Sequence, residues 1–283
     1  MTLQDLAEEF LKNYCERRLK PATVRGYRVN LKNHALVGRE LLDVQQLTVN
    51  DLDELTDELL AKGLSKRSTV YIHATLRKML NFALRRCYIK QNPYDLFDMP
   101  KVPKYRHRVL PEGEMKRMLE CSRGSSLHIP ITLALCYGLR RGECLGIIPS
   151  EDLDGCVLHV QRTRSVEHRQ EVITDCKSED SNRYILLKEE HAQLLKKSAR
   201  RGRYACELTP NQLESRFKTL LIRCEFPNIR FHDLRHSYAT LMLSMGVDLK
   251  IISDVLGHSD LSITADTYCH PDVSVQQRCL DVF

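Results

Sequence analysis

Apolar residues recur every three or four positions through most of the first hundred residues, the period of an amphipathic helix. "LQDLAEEFLKNYCERRL" carries that pattern near the N-terminus. Pro21 opens "PATVRGYRVNLKNHAL", at a first helical turn that tolerates a missing amide. Thr48 with Asp51 reads as a capping box ahead of "DLDELTDELLAKG", and Gly63 as its stop. Ser65 precedes the longest run, "SKRSTVYIHATLRKMLNFALRRCYI", whose Leu76, Met79, Leu80 and Ala83 fall on one stripe. The period then breaks in "KQNPYDLFDMPKVPKYRHRVLPEGE", with four prolines among many charges. A linker is expected there, near residues 102–108.

Beyond the linker the pattern is mixed. "PEGEMKRMLECS" and "LHIPITLALCYG" have the helical period, with Pro130 in the first turns of the second. "CVLHVQRT", "QEVITD" and "RYILL" are rich in β-branched residues and lie close together, which predicts one small three-stranded antiparallel sheet. The helical period returns in "KEEHAQLLKKSA", "PNQLESRFKTLLIRC", "HDLRHSYATLMLSMG" and "DLKIISDVLG", and a last helix is expected to hold Tyr268. The fold class expected is mainly α with a small antiparallel β-sheet. It divides into a helical domain, 1–103, and a mostly helical domain, 104–283.

Composition narrows the function. At 283 residues and 42% apolar the chain can bury two cores, and no run of eighteen apolar residues predicts a membrane span. The N-terminal stretch lacks a signal-peptide apolar region. The eleven cysteines are odd in number and scattered, without a CxxC pair, and read as reduced thiols of a cytoplasmic protein. The net charge is +6, and basic residues gather in "LRRCYIK", "PKVPKYRHR", "KKSARRGR" and "RFHDLRH", which points to a polyanion as partner. Trp is absent and aromatics are 6%, so phosphate contact by Arg and Lys is expected over base stacking.

Four stretches carry candidate chemistry. "YGLRRGE" places a turn before Arg140, Arg141 and Glu143; alone, it reads first as an exposed basic pair with a neighbouring acid. "FHDLRHSYAT" puts His232, Arg235 and His236 on one helical face. The two histidines have the i,i+4 spacing of a zinc pair, but Asp233 stands where the zinc hydrolases have Glu and no third ligand is evident. The same face also suits an anion held by a guanidinium fork and an imidazole. "LGH" supplies His258 and the final stretch Tyr268. Transfer at a phosphodiester needs cations for the equatorial oxygens, an in-line nucleophile and an acid for the leaving alkoxide. Arginines and histidine suit the first task and a tyrosine hydroxyl the second. Lys177 in "DCKSEDSNRYILL", expected at a β-hairpin tip, is the candidate acid.

Together these stretches resemble the tyrosine recombinases, also called the phage integrase family. "GLRRGE" is similar to the family's first box and carries its first catalytic arginine onto Arg140 and its acid onto Glu143. "HDLRHSYAT" resembles the second box, which maps the acid/base histidine onto His232 and the second arginine onto Arg235. "LGHSDLSITADTYCH" resembles the closing elements and gives His258 and the nucleophile Tyr268; "KSEDSNRYILL" fits the hairpin pattern that holds the family's lysine, Lys177. The first hundred residues resemble the family's SAM-like core-DNA-binding domain.

The resemblance implies double-stranded DNA as partner, clamped by the two domains at specific recombination sites. It implies a homotetramer on two sites, with an excision or accessory DNA-bending factor where excision requires one. The intermediate it implies is a 3′-phosphotyrosyl bond that keeps the bond energy, so that no cofactor, ATP or metal is expected. Many integrases carry an arm-binding domain ahead of this point. A chain opening on the core-binding domain fits a two-domain recombinase of the Xer group or a shortened form. The His258–Tyr268 spacing is more similar to integrases of mobile elements than to Xer proteins. Dimer resolution of the Xer kind, relaxation of the type IB topoisomerase kind, and non-catalytic DNA binding stay open as alternatives.

Overall fold

The computed structural model describes residues 1–103, 108–167, 170–175, 181–198 and 203–257. The chain divides into two compact units, Met1–Tyr105 and Arg106–Phe283. The last expected helix, with Tyr268, lies outside the described residues.

The first unit is helical. α1 (Leu3–Glu9) runs on through a π-helical stretch, Phe10–Cys15, into the single turn α2 (Glu16–Arg18). α3 (Pro21–Asn30), with Pro21 in its first turn, is followed by α4 (Val49–Ala61) and α5 (Lys66–Arg85). The caps read from the sequence form: Thr48 Oγ1 accepts from the Asp51 amide at 3.4 Å, and Asp51 returns the bond to the Thr48 amide at 2.7 Å. Ser65 caps α5 through the Ser68 amide at 3.1 Å. Leu76, Met79, Leu80 and Ala83 are buried as one stripe against Leu6, Phe10 and Leu52. Within this apolar core His73 hydrogen-bonds Tyr94 at 2.7 Å and Thr56 at 3.0 Å, tying the segment after α5 to two helices. Burial lowers this histidine to about 4, so it is neutral at physiological pH.

The second unit sets helices around two small sheets. α6 (Glu112–Ser122), α7 (His128–Tyr137), α8 (Arg141–Gly146) and the short α9 (Pro149–Asp152) come first. Five strands follow: β1 (Leu153–Asp154), β2 (Val157–Val160), β3 (Arg162–Glu167), β4 (Gln170–Asp175) and β5 (Arg183–Leu186). The remaining described helices are α10 (Glu189–Ser198), α11 (Pro210–Arg223), α12 (Phe231–Ser244) and α13 (Leu249–Leu256). Among the described residues no helix is long and apolar enough to cross a membrane.

The sheet differs from the single three-stranded one expected. "CVLHVQRT" divides at Gln161 into β2 and β3, which join different sheets. β2 pairs antiparallel with β1 and with β5, in register Leu158↔Ile185 and Val160↔Arg183, while β3 and β4 form their own two-stranded ribbon. Among the described residues, β4 pairs with β3 and β5 with β2. The connection 176–180, which holds Lys177 and was expected to form a hairpin tip, lies outside the described residues.

Two close approaches fix the frame around α8. A Cβ on Gly142 would stand 2.5 Å from Thr163 Cγ2, and one on Gly146 3.0 Å from the Arg162 carbonyl, so the helix lies directly on β3. Gly138, at the end of α7, is left-handed with φ 67°, and a Cβ there would meet Leu256 and Tyr238 at 2.6 and 2.7 Å. Gly138→Ala combines backbone strain with overpacking and is expected to cost about 2–4 kcal/mol. A thermal melt within a degree or two of wild type would contradict that packing.

Candidate active site

The turn at Gly138 delivers Arg140 to the N-cap of α8 in extended conformation. An N-cap usually offers a short acceptor side chain, and here the acceptor comes from the third helical position instead. Glu143 Oε2 accepts the Arg140 backbone amide at 2.9 Å, and Oε1 accepts its Nη1 at 2.7 Å. Arg183 Nη2 donates to the same Oε2 at 2.9 Å. The Glu143 side chain is 2% exposed. Burial pushes its carboxyl up, but Arg183, Arg140 and Arg235 overcome that and hold it down at about 2. It is thus a permanent anion in the physiological range.

α12 repeats this way of starting a helix. Arg230 caps it, with its backbone amide on Asp233 Oδ2 at 2.9 Å and its Nη2 on Oδ1 at 2.8 Å. His232 lies exposed in the first turn, while Arg235 and His236 are buried one turn further on. The His232 and His236 rings stand edge to face, 4.9 Å between centroids. Arg235 is 1% exposed, and a buried guanidinium needs acceptors. It donates through Nη1 to the Gly138 carbonyl at 2.7 Å and through Nη2 to the Leu256 carbonyl at 2.8 Å.

The second of these bonds lies at the end of α13, where others converge. The last carbonyls of a helix lack partners within it and carry the negative end of its dipole. Gly257 closes α13 in left-handed conformation, φ 66°. Three carbonyls there each take a different guanidinium. Val255 accepts from Arg183 Nε at 2.6 Å, Leu256 from Arg235, and Gly257 from Arg140 Nη2 at 2.7 Å. Arg140 keeps about a third of its side chain exposed (34%), whereas Arg183 is 7% exposed.

The structure thus brings Arg140 and Arg235 together, around Glu143 and the residue that directly precedes His258. His232 stands on the same helix as Arg235. Lys177, His258 and Tyr268 lie outside the described residues. Arg183 was not singled out from the sequence as a site residue. A signal existed: Ile185 and Leu187 are buried, and the period of two in β5 carries the inward face back to Arg183. An arginine at a core-facing strand position requires acceptors, and here it has three.

Comparison with known proteins agrees over both units. Residues 108–274 match the phage integrase family, and residues 7–87 match the phage integrase N-terminal SAM-like domain. The chain is 30% identical to the tyrosine recombinase XerC of Alcanivorax borkumensis over 272 residues, 91% of this chain and 86% of that one. It is 25% identical to the ICEBs1 integrase of Bacillus subtilis, over 94% of this chain and 78% of the relative. Among solved structures, the fold is similar to the Tn1549 transposon integrase in complex with a circular intermediate DNA, with TM-score 0.86, 18% identity and 99% of each chain covered.

Proposed function

This chain belongs to the phage integrase family and is a tyrosine site-specific recombinase, and on that premise we propose how its own residues cut and rejoin DNA. Arg140, Arg235 and His258 hold the scissile phosphate of a duplex site. The Tyr268 hydroxyl attacks phosphorus in line, forming the 3′-phosphotyrosyl bond as the bond to the 5′ oxygen breaks. Lys177 gives its proton to that departing oxygen, and His232 assists proton transfer. Attack by a 5′-hydroxyl from a partner duplex reverses the step and returns the proton, so each strand is resealed without an external energy source.

The observation that carries this reading is the convergence of Arg140 and Arg235 on the end of α13. Two guanidiniums from separate helices meet where the chain leaves for His258 and Tyr268. Preorganised donors at that point would meet the charge that develops on the phosphoryl oxygens. Four protomers acting on two sites, with exchange through a Holliday junction, are part of this proposal. So is the movement of a mobile element as the biological role, with accessory factors setting its direction.

The test is recombination between two sites on one plasmid, with the site taken from the sequence wild-type protein captures covalently from a random duplex pool. Exchange of flanking markers is expected. Relaxation of supercoils without exchange would show topoisomerase action instead. Binding to the same duplex is expected to weaken as a power of salt concentration, by about tenfold or more between 50 and 200 mM. A salt-independent affinity would remove the phosphate-contact reading.

A further inference from the structure

We infer that Arg183, on β5, is a positioning residue that sets the three chemistry-bearing segments of the site in register; this rests on the reaction proposed above. Its guanidinium reaches three acceptors from three parts of the chain. Nη2 donates to Glu143 Oε2 at 2.9 Å, and Glu143 in turn holds both the backbone and the side chain of Arg140. Nε donates to the Val255 carbonyl at 2.6 Å, three residues before His258. Nη1 donates to the Ser181 carbonyl at 3.1 Å, where the connection bearing Lys177 enters β5.

A single rigid plane therefore links the phosphate-holding arginine, the segment that leads to the nucleophile, and the segment that supplies the acid. Only a guanidinium offers donors in such a fixed fork. All three of its guanidinium nitrogens donate to protein acceptors, and in this inference it acts through Glu143 and the end of α13 rather than on the phosphate. Its place in β5 explains the arrangement: it faces inward opposite Val160, beside the core, where its backbone is held by the sheet. A positioning role predicts a particular defect. DNA affinity survives, while the alignment of attacking and leaving groups is lost.

The experiment compares two nicked duplexes built on the captured sequence, one with an ordinary 5′ oxygen at the scissile phosphate and one with a bridging 5′ sulfur. A thiolate leaves without a proton because its conjugate thiol is far more acidic than an alcohol, so the sulfur substrate has no need of Lys177. Arg183→Met is expected to bind both duplexes within about threefold of wild type and to cleave the oxygen substrate about 100-fold more slowly. On the sulfur substrate the deficit should shrink to about tenfold, because only the Arg140 and α13 alignments remain disturbed. Arg183→Lys should fall between wild type and Arg183→Met on both, and it decides the matter if circular dichroism shows Arg183→Met unfolded.

Equal slowing on the two substrates, in step with a lower melting temperature, would overturn the proposal in favour of general loosening. Cleavage at wild-type rate would overturn it as well, with the reaction left intact. If wild-type protein forms no denaturant-resistant adduct with either duplex, the reaction fails and the role of Arg183 falls with it.

Discussion

Tyr268→Phe is expected to form no covalent complex with a nicked suicide substrate, while its affinity for the same duplex should stay within about twofold of wild type. The substitution removes one oxygen and leaves the ring. The proposed chemistry, however, has no other way to conserve the bond energy of the cleaved strand. Water could open the phosphodiester, but it would leave a hydrolysed end that no 5′-hydroxyl can reseal. Loss of a nucleophile of this kind costs about 10⁴-fold or more, below detection in a gel assay. The measurement is a denaturing gel of labelled DNA, beside a binding titration of the same protein. Residual adducts at a percent or more of the wild-type level would mean that another residue attacks.

Glu143→Gln is the second substitution with a large consequence, and it acts through charge. The wild-type carboxylate is sunk among Arg183 and Arg140, with Arg235 close enough to add to its stabilisation. Taking away one member of a buried ion network leaves the others uncompensated, at about 3–5 kcal/mol. The pH dependence follows from the same carboxyl. Its folded value, about 2, lies below the ordinary value of 4.5. Its contribution is therefore complete above about pH 4.5 and is lost as the pH falls towards 2, worth about 3 kcal/mol over that interval. Wild type and Glu143→Gln should accordingly differ most in melting temperature at neutral pH and converge in acid. Parallel curves from pH 7 to pH 3 would sink the electrostatic account. Cleavage should fall too, since Arg140 loses the acceptor that fixes both its amide and its guanidinium.

The first helices were legible because each carries its own punctuation. Thr48, Ser65, Pro21 and the stripe through Leu76 and Met79 state starts and faces within a few residues of sequence. "GLRRGE" was nearly as readable: a glycine to reverse the backbone, then an acid one turn into a helix. The partition of "CVLHVQRT" was not. Nothing at Gln161 breaks the alternation, and the change of partner there is decided by α8 lying on β3 and by β5 returning to β2, both contacts between distant segments. α9 escaped because a four-residue helix has no period to detect. Arg140 and Arg235 were recognised through the motifs around them. Arg183 belongs to a motif quoted for its lysine, and its importance shows only when Glu143, Ser181 and Val255 are seen around one guanidinium.

The bonds that gather at the end of α13 are also unusually distant along the chain. Arg183 reaches Val255 across 72 residues and Arg140 reaches Gly257 across 117, while Arg235, which holds Leu256, also ties back to Gly138 at the end of α7 across 97. Contacts that span such intervals come late in folding, because the chain between them must first be ordered. During synthesis, Arg140, Arg183 and Arg235 are all made before the carbonyls of Val255, Leu256 and Gly257 exist for them to hold. An incomplete chain released from the ribosome before that point would carry the arginines without their arrangement. For a protein that breaks DNA strands, competence to hold a phosphate would then be acquired only after Gly257 has been made.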